Sequence, residues 1–127
     1  FMKATGVVNM DVISHEEMGA YIHLLKRDDG GKAFLKIMRN FEQTTEFTQT
    51  CFQAFQNPEY PVQLIWGNED PLLPYEESGK DFEKARPGIP VTRVEGKHFL
   101  QEEAYETIAA KVKELAQNNM NHNICEV

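Results

Sequence analysis

The sequence predicts an α/β fold built on a strand, a helix and a second strand that runs parallel to the first. Two short apolar runs, residues 62–66 (VQLIW) and 91–94 (VTRV), have the length and composition of buried strands. Each run is followed by a polar stretch that contains glycine, residues 67–70 (GNED) and 95–98 (EGKH). Parallel strands need a crossover connection, and residues 75–84 are predicted to be its helix.

Amphipathic patterns predict four further helices. Their ranges are residues 15–27, 32–42, 45–56 and 101–117. Ser14 and Glu17 form a predicted capping box at the start of the first helix. The phenylalanine-rich second and third helices are expected to be core, or a face that has lost its partner. The chain therefore divides into a helical segment (1–57), an α/β segment (58–117) and a polar tail (118–127).

Composition places the chain among soluble globular proteins, with 41% hydrophobic and 26% charged residues. A formal net charge of −7 argues against nucleic acid as a partner, because nucleic-acid binding calls for a basic face. No apolar run approaches the roughly 18 residues of a membrane span, and no basic n-region with an apolar h-region marks a secretory signal in these residues. Two cysteines do not make a disulfide framework, so the expected location is the cytoplasm.

Asp70 and His98 are the candidate site residues, because each follows a predicted strand. The carboxyl ends of parallel strands meet at one edge of a sheet, where ligands bind. An acid followed by a histidine at that edge is typical of the orienting and proton-transferring members of a catalytic triad. Plainer interpretations exist: a turn aspartate usually bonds its own backbone, and a lone loop histidine is commonly a surface residue. Glu69 is the rival acid and is expected to be a solvated neighbour.

Residues 61–74 (PVQLIWGNEDPLLP) and 91–103 (VTRVEGKHFLQEE) together resemble the closing segment of an α/β-hydrolase. Within that superfamily the resemblance is closest to haloalkane dehalogenases and their epoxide-hydrolase-like relatives. It implies that Asp70 is the triad acid and His98 the triad base, since the family order is nucleophile, acid, histidine. Residues 1–57 resemble part of the family's helical cap. The implied fold is a truncated α/β-hydrolase, a cap remnant followed by a strand–helix–strand–helix unit.

The nucleophile of that family is missing from this sequence. In the family it occupies a sharp turn in which glycines flank a Ser, Asp or Cys, and no such Gly-x-Ser/Asp/Cys-x-Gly pattern occurs here. The serines and cysteines of the chain lie in other contexts: Ser14, Ser78, Cys51 and Cys125. The family's catalytic unit is about twice as long, and Phe1 ahead of Met2 fits a fragment, a tag remnant or an internal start. The resemblance thus implies two members of a triad, inactive without the third.

Three functions are compatible with the sequence. The first is a partial hydrolase that needs the missing N-terminal half and acts on a small-molecule substrate. The second is a stand-alone, non-catalytic binding or structural protein derived from a hydrolase. The third is an unrelated small α/β binding module in which Asp70 and His98 are incidental. Whether the chain is an enzyme stays open at this point.

The expected partners are a second copy of the chain or the missing hydrolase half. A homo-oligomer should bury the edge of the strand 62–66 or the phenylalanine faces of helices 32–42 and 45–56, because two parallel strands alone make an unstable sheet. No cofactor and no metal are expected, since His122 and Cys125 alone do not make a metal site.

Two aromatic residues have alternative interpretations. Trp66 ends the first strand, where it lines a substrate pocket or belongs to the core. Tyr21 on the first helix resembles the cap tyrosines with which epoxide hydrolases polarise the epoxide oxygen. Its other interpretation is packing against the phenylalanines of the next two helices.

Overall fold

The computed structural model describes residues 2–42, 44–56, 59 and 61–124. Within them the fold is mixed α/β and mostly helical, with one small sheet. The elements are α1 (His15–Lys26), α2 (Lys32–Arg39), α3 (Thr45–Gln56), β1 (Leu64–Gly67), α4 (Lys80–Ala85), β2 (Val91–Val94), α5 (Leu100–Glu103) and α6 (Tyr105–Ile124), with short helical turns at Met2–Gly6, Met10–Val12 and Tyr75–Gly79. No helix of this described part is long and apolar enough to cross a bilayer. The predicted boundary at residues 57–58 lies outside the described residues.

The sheet consists of β1 and β2, which pair in parallel with Leu64 opposite Val91. This pairing confirms that the two predicted strands are adjacent and parallel. Strand β1 begins at Leu64, later than predicted, and the Leu64 N–H donates to the carbonyl of Pro90 at 2.9 Å. Because Pro90 has no N–H to donate to Val62, the ladder cannot extend further in that direction.

The loops that follow the two strands are bound to each other through their backbones. The N–H of Asn68 donates to the carbonyl of Val94 at 2.8 Å, and the N–H of Glu69 donates to that of Gly96 at 3.0 Å. Gly67, the last residue of β1, is buried beside them. A Cβ atom at Gly67 would lie only 2.6 Å from the carbonyl oxygen of Gly96, so glycine is what permits this close approach.

The predicted connecting helix begins with a wide π-helical turn, Tyr75–Gly79, before it continues as α4. The Tyr75 ring lies over Gly79, where a Cβ atom would overlap it. The Tyr75 hydroxyl donates to the Glu83 carboxylate, and the Arg93 guanidinium lies 4.0 Å from the centre of the ring. These contacts of Tyr75 join the crossover segment to β2.

The predicted helix 101–117 is divided into α5 and α6 at Ala104. The backbone of Ala104 is not helical (φ −119°, ψ 25°), although its N–H still donates to the carbonyl of Leu100 at 2.8 Å. Helix α6 runs to Ile124, beyond the predicted end at Gln117. No glycine or proline follows the start of α6, so the sequence contains no signal that would stop the helix at that point.

Helix α1 begins where its capping signal places it. Ser14 and Glu17 form the predicted capping box: the Ser14 N–H donates to the Glu17 carboxylate at 2.8 Å, and the Glu17 N–H donates to the Ser14 hydroxyl at 3.1 Å. Helix α2 ends at Arg39, earlier than predicted. Asn40 leaves the helical conformation there, and its side-chain amide donates to the carbonyl of Lys36 at 2.6 Å.

The apolar core of the described residues is small. Its buried members are Val7, Ile13, Ile89 and Val94. None of them comes from α1, α2 or α3, and side chains of α2 such as Phe34 are about half exposed. The core interpretation of the second helix is therefore wrong. In α3, Phe52 and Phe55 do find a partner, because both rings contact Phe82 of α4 at centroid distances of 6.2 and 5.2 Å.

Candidate functional site

Asp70 lies in the turn that follows β1, and the turn fixes its carboxylate. One carboxylate oxygen, Oδ1, accepts the N–H groups of Leu72 and Leu73 at 2.9 and 3.0 Å. The indole N–H of Trp66 donates to the carbonyl of Leu73 at 2.9 Å and holds the far end of the same turn. Trp66 itself packs against the Tyr75 ring at 5.8 Å. The acid is therefore held by its own turn, and the turn is held by the strand from which it emerges.

His98 lies in the loop after β2, against the N-terminal segment of the chain. Its N–H donates to the carbonyl of Thr5 at 3.2 Å, and the N–H of Phe99 donates to that of Gly6 at 2.8 Å. The Phe99 ring packs edge-on against the imidazole at 5.4 Å. The loop that carries the histidine is thus fixed by residues more than ninety positions earlier in the chain.

The two candidate side chains meet at the carboxyl edge of the sheet. The Nδ1 atom of His98 lies 3.0 Å from the second carboxylate oxygen of Asp70, Oδ2, as the placement of both residues at strand ends predicts. The Asp70 side chain is only 6% exposed, whereas that of His98 is 29% exposed. Within the described part of the chain, Nε2 of His98 has no hydrogen-bond partner. One ring nitrogen is therefore occupied by the acid and the other is open.

The surroundings of Asp70 favour its charged form. Burial raises the pKa of this carboxyl, but the hydrogen bonds from the Leu73 N–H, from His98 and from the Leu72 N–H together outweigh burial and lower the pKa below its usual range. A buried carboxylate with four lone-pair sites needs several donors, and here it has three. Asp70 is therefore an anion at neutral pH, placed against a histidine.

The structure combines the two interpretations of Asp70 that the sequence leaves open. One carboxylate oxygen bonds the backbone of its own turn, as turn aspartates do, while the other bonds His98. The rival acid, Glu69, is exposed, and its carboxylate makes no hydrogen bond or ion pair with His98 among the described residues. Asp70 is thus the acid that orients the histidine in this arrangement, and its catalytic role remains a prediction.

Glu103 connects the histidine loop to the N-terminal segment, a role that the sequence did not reveal. Its Oε1 atom accepts the N–H groups of Val8 and Asn9 at 2.7 and 2.8 Å, and its Oε2 atom accepts that of Lys97 at 3.4 Å. Lys97 precedes His98 directly. An acid near the start of a helix commonly favours the positive end of the helix, and position alone suggests no other role for Glu103.

Tyr21 of α1 reaches the same region through the neighbouring acid. Its hydroxyl donates to the Glu102 carboxylate, and this hydrogen bond raises the pKa of Tyr21. No ring contact joins Tyr21 to the phenylalanines of α2 and α3 within the described residues, so that predicted packing is not found. Helix α1 is thereby connected to α5 by one polar contact next to the candidate site.

We expect Glu103→Ala to lower the free energy of unfolding by about 2–3 kcal/mol, because several backbone N–H groups lose a charged acceptor. Urea unfolding followed by the fluorescence of Trp66, the sole tryptophan, measures this change. Faster hydrogen exchange at the amides of Val8 and Asn9 should accompany it. Glu106→Ala is the matched control, since Glu106 is exposed, and it should change stability by less than about 0.5 kcal/mol. Equal effects of the two substitutions would contradict the role of Glu103.

A groove in the described structure lies away from the acid–histidine pair. It measures about 320 Å³ and lies between α3 and α4. Its walls are Glu42, Phe47, Thr48, Cys51, Phe52, Phe55 and Phe82. Asp70, His98 and Trp66 do not line it, so the groove does not confirm a substrate pocket beside Trp66.

The other candidate groups do not assemble into a site. The described residues contain no cluster of His, Cys, Asp and Glu with the geometry to hold a metal. Cys125 of the His122–Cys125 pair lies outside the described residues. Ser14 serves the capping box, and Cys51 is exposed on α3. Among the described residues, no serine or cysteine hydrogen-bonds to His98.

A scan against protein-family models, a search of curated proteins and a search of solved structures return no match to the chain. The site is therefore interpreted from its own geometry. That geometry is a buried carboxylate, oriented by backbone donors, in contact with one nitrogen of a histidine whose other nitrogen is open.

Proposed function

We propose that this chain carries the acid and the base of an α/β-hydrolase catalytic triad of the haloalkane dehalogenase or epoxide hydrolase type. His98 is the general base and Asp70 is its orienting acid. The observation that supports this assignment is the 3.0 Å contact between Nδ1 of His98 and a carboxylate oxygen that the acid's own turn leaves unoccupied. The strand-end order, acid first and histidine second, matches the order in that superfamily.

This arrangement suits proton transfer at Nε2. An ionised Asp70 on one side of the ring favours the tautomer with its proton on Nδ1, which leaves a lone pair on Nε2. In the proposed step, Nε2 removes a proton from a water molecule as the water oxygen attacks the carbonyl carbon of an acyl- or alkyl-enzyme ester. The bond from that carbon to the leaving atom then breaks, and the imidazolium of His98 returns the proton to the leaving atom, which belongs to the nucleophile in an acyl-enzyme and to the product alcohol in an alkyl-enzyme. Asp70 stabilises the imidazolium until the proton is returned.

The nucleophile in this proposal comes from a segment other than the described residues. No described serine or cysteine is bonded to His98, and the sequence contains no nucleophile turn of the family's kind. The chain therefore supplies the machinery of the second half-reaction. The partner of the acid–histidine pair would be a chain or segment that bears a Ser, Asp or Cys on a sharp strand-to-helix turn.

We expect the isolated chain to show no saturable turnover of esters, epoxides or haloalkanes. A base and its orienting acid have no group to activate for the first attack, so the covalent intermediate cannot form. Initial rates measured against substrate concentration, with material of verified intact mass, test this expectation. Saturable turnover that His98→Ala abolishes would show that the chain contains its own nucleophile.

Complementation tests the proposed pair directly. The chain is co-expressed with the nucleophile-bearing half of a haloalkane dehalogenase that has been cut before its own acid. The proposal expects turnover with the wild-type chain and none with the His98→Ala chain. His15→Ala is the matched control, since His15 is exposed and far from the pair in sequence, and it should leave turnover unchanged. Turnover that survives His98→Ala would refute the proposed role of His98.

A further inference from the structure

The groove between α3 and α4 is walled mainly by phenylalanine rings. We call it the phenylalanine groove, and its rings are those of Phe47, Phe52, Phe55 and Phe82. Its volume of about 320 Å³ lies at the lower end of the range of roughly 300–1,000 Å³ that is typical of small-molecule sites. The groove therefore has room for a small organic ligand, and its walls favour one with an apolar body.

The inner rings of the phenylalanine groove are held by contacts with one another. Phe55 packs edge-on against Phe82 at a centroid distance of 5.2 Å, and Phe52 packs against the same ring at 6.2 Å. The Trp66 ring of β1 also contacts Phe82, at 6.1 Å. Because these contacts fix the rings in the free protein, a ligand does not have to order them, which favours binding.

The one charged side chain among the described residues that line the groove lies at the end where α3 begins. Oε1 of Glu42 accepts the N–H of Thr44 at 3.0 Å, and the Thr44 hydroxyl accepts the N–H of Phe47 at 3.2 Å. Phe55 lies eight residues further along α3 than Phe47, which corresponds to about 12 Å of helix. The groove is therefore anionic at one end and aromatic along the rest of its length.

The carboxylate of Glu42 determines which ligand charge the groove accepts. Hydrogen bonds from the hydroxyl and the N–H of Thr44 lower the pKa of Glu42, so this carboxyl is an anion at neutral pH. Within the described residues Glu42 forms no ion pair, and no lysine, arginine or histidine lines the groove. An anionic ligand would be repelled by this carboxylate, whereas a cation would pair with it. The faces of the phenylalanine rings attract cations as well.

We propose that the phenylalanine groove binds a small quaternary ammonium ion with an apolar body. The cationic group lies between the Glu42 carboxylate and the Phe47 ring, and the apolar body lies along the inner rings. A quaternary ammonium group suits aromatic walls better than a primary amine, because it has no N–H groups that must each find an acceptor. This site is separate from the acid–histidine pair and does not depend on the function proposed for that pair.

Benzyltrimethylammonium is the probe that tests the site, and neopentylbenzene, in which carbon replaces the charged nitrogen, is its neutral isostere. Isothermal titration calorimetry of the whole chain should show saturable binding of the cation. The isostere, measured by displacement of the cation, should bind at least about 3-fold more weakly, and the anion phenylacetate should not bind. The proposal is overturned if the cation does not saturate the chain at millimolar concentration or if the isostere binds equally well.

Two substitutions test the contacts of the cationic group. Glu42→Gln should weaken binding of the cation about 3-fold, less at high salt, and should leave binding of the isostere unchanged. Phe47→Leu keeps an apolar side chain but removes the ring face, so it too should weaken binding of the cation and not of the isostere. Glu46→Gln is the matched control, since Glu46 is exposed in the first turn of α3 and does not line the groove. Binding of the cation that both Glu42→Gln and Phe47→Leu leave unchanged overturns the proposal.

The thiol of Cys51 shows whether the ligand occupies this groove. Cys51 lines the groove and is exposed, and in a Cys125→Ser protein it is the only thiol of the chain. Benzyltrimethylammonium should slow the alkylation of Cys51 by iodoacetamide, with half-maximal protection at the concentration that gives half-saturation in the titration. An alkylation rate that a saturating concentration of the cation does not change would place the ligand elsewhere and would refute the proposed site.

Discussion

Replacing Gly67 with alanine should destabilise the protein by about 1–3 kcal/mol, the range found when atoms are forced into a packed site. The added Cβ would lie 2.6 Å from the carbonyl oxygens of both Gly96 and Lys97. Both oxygens belong to the backbone directly before His98, so no side-chain rotation can make room for the Cβ atom. The loop must move as a whole, and the hydrogen bond from the Glu69 N–H to Gly96 should lengthen or break.

Chemical unfolding measures this loss of stability. NMR gives a second readout, because it is sensitive to a change in the distance between the two loops. The ring resonances of His98 should change in Gly67→Ala even though no side chain of the site has been altered. Gly19→Ala is the control with the opposite sign. A Cβ at Gly19 in α1 meets no atom within 4 Å, so alanine there should stabilise the helix by up to about 1 kcal/mol. A Gly67→Ala protein as stable as the wild type would contradict the close approach of the two loops.

Removal of the Asp70 carboxylate should cost about 3 kcal/mol or more in Asp70→Ala, because buried donors that lose their acceptor each cost about 1–3 kcal/mol. The donors are the N–H groups of Leu72 and Leu73, together with the ring of His98. Asp70→Asn should cost less, because the amide oxygen can still accept from the turn. Urea unfolding of the wild type and the two variants measures which substitution lowers the free energy of unfolding more.

The same two variants should differ in pH dependence from the wild type. The pKa of Asp70 is lower in the folded protein, so the unfolded state takes up the proton first as the pH falls. The contribution of Asp70 to stability is therefore complete above the ordinary carboxyl pKa of about 3.9 and is lost as the pH falls through the lowered folded value. Stability measured from pH 7 downward should show this loss in the wild type but not in Asp70→Asn. Identical curves would contradict it.

Asp70→Asn should lower the activity of the complemented enzyme by far more than the loss of stability alone accounts for. An amide N–H₂ group facing Nδ1 favours the tautomer with its proton on Nε2, which removes the base. In a serine protease the corresponding change lowers kcat about 10⁴-fold, and a loss of that order is expected here. The ratio of activities at equal folded fraction separates this effect from unfolding.

Local signals in the sequence predicted the helices and strands well. Ser14 and Glu17 are a capping box that needs no distant partner, so the start of α1 follows from four consecutive residues. Strand β2 occupies the predicted residues Val91–Val94, bounded by proline and glycine. The contact of Asp70 with His98 followed from two strand ends and one rule about parallel sheets.

What the sequence did not predict depends on contacts between distant residues. The bridge from Glu103 to Val8 joins positions 95 residues apart, and no local pattern marks it. The break between α5 and α6 at Ala104 comes directly after Glu103, the residue that makes this bridge. The apolar pattern of α2 correctly indicated an amphipathic helix, but periodicity does not say what covers the apolar side, and there the core interpretation failed.

The pairing of Thr5 and Gly6 with the backbone of His98 and Phe99 determines when the site can form during synthesis. The ribosome makes the N-terminal segment first and the histidine loop more than ninety residues later. The hydrogen bonds of Asp70 within its own turn can form as soon as the turn leaves the ribosome, because the donor N–H groups are two and three residues away. The histidine must await a loop closure across most of the chain, with the slow kinetics that such distant contacts bring. Asp70 can therefore form its native hydrogen bonds early in synthesis, whereas His98 can form its own only after most of the chain has been made.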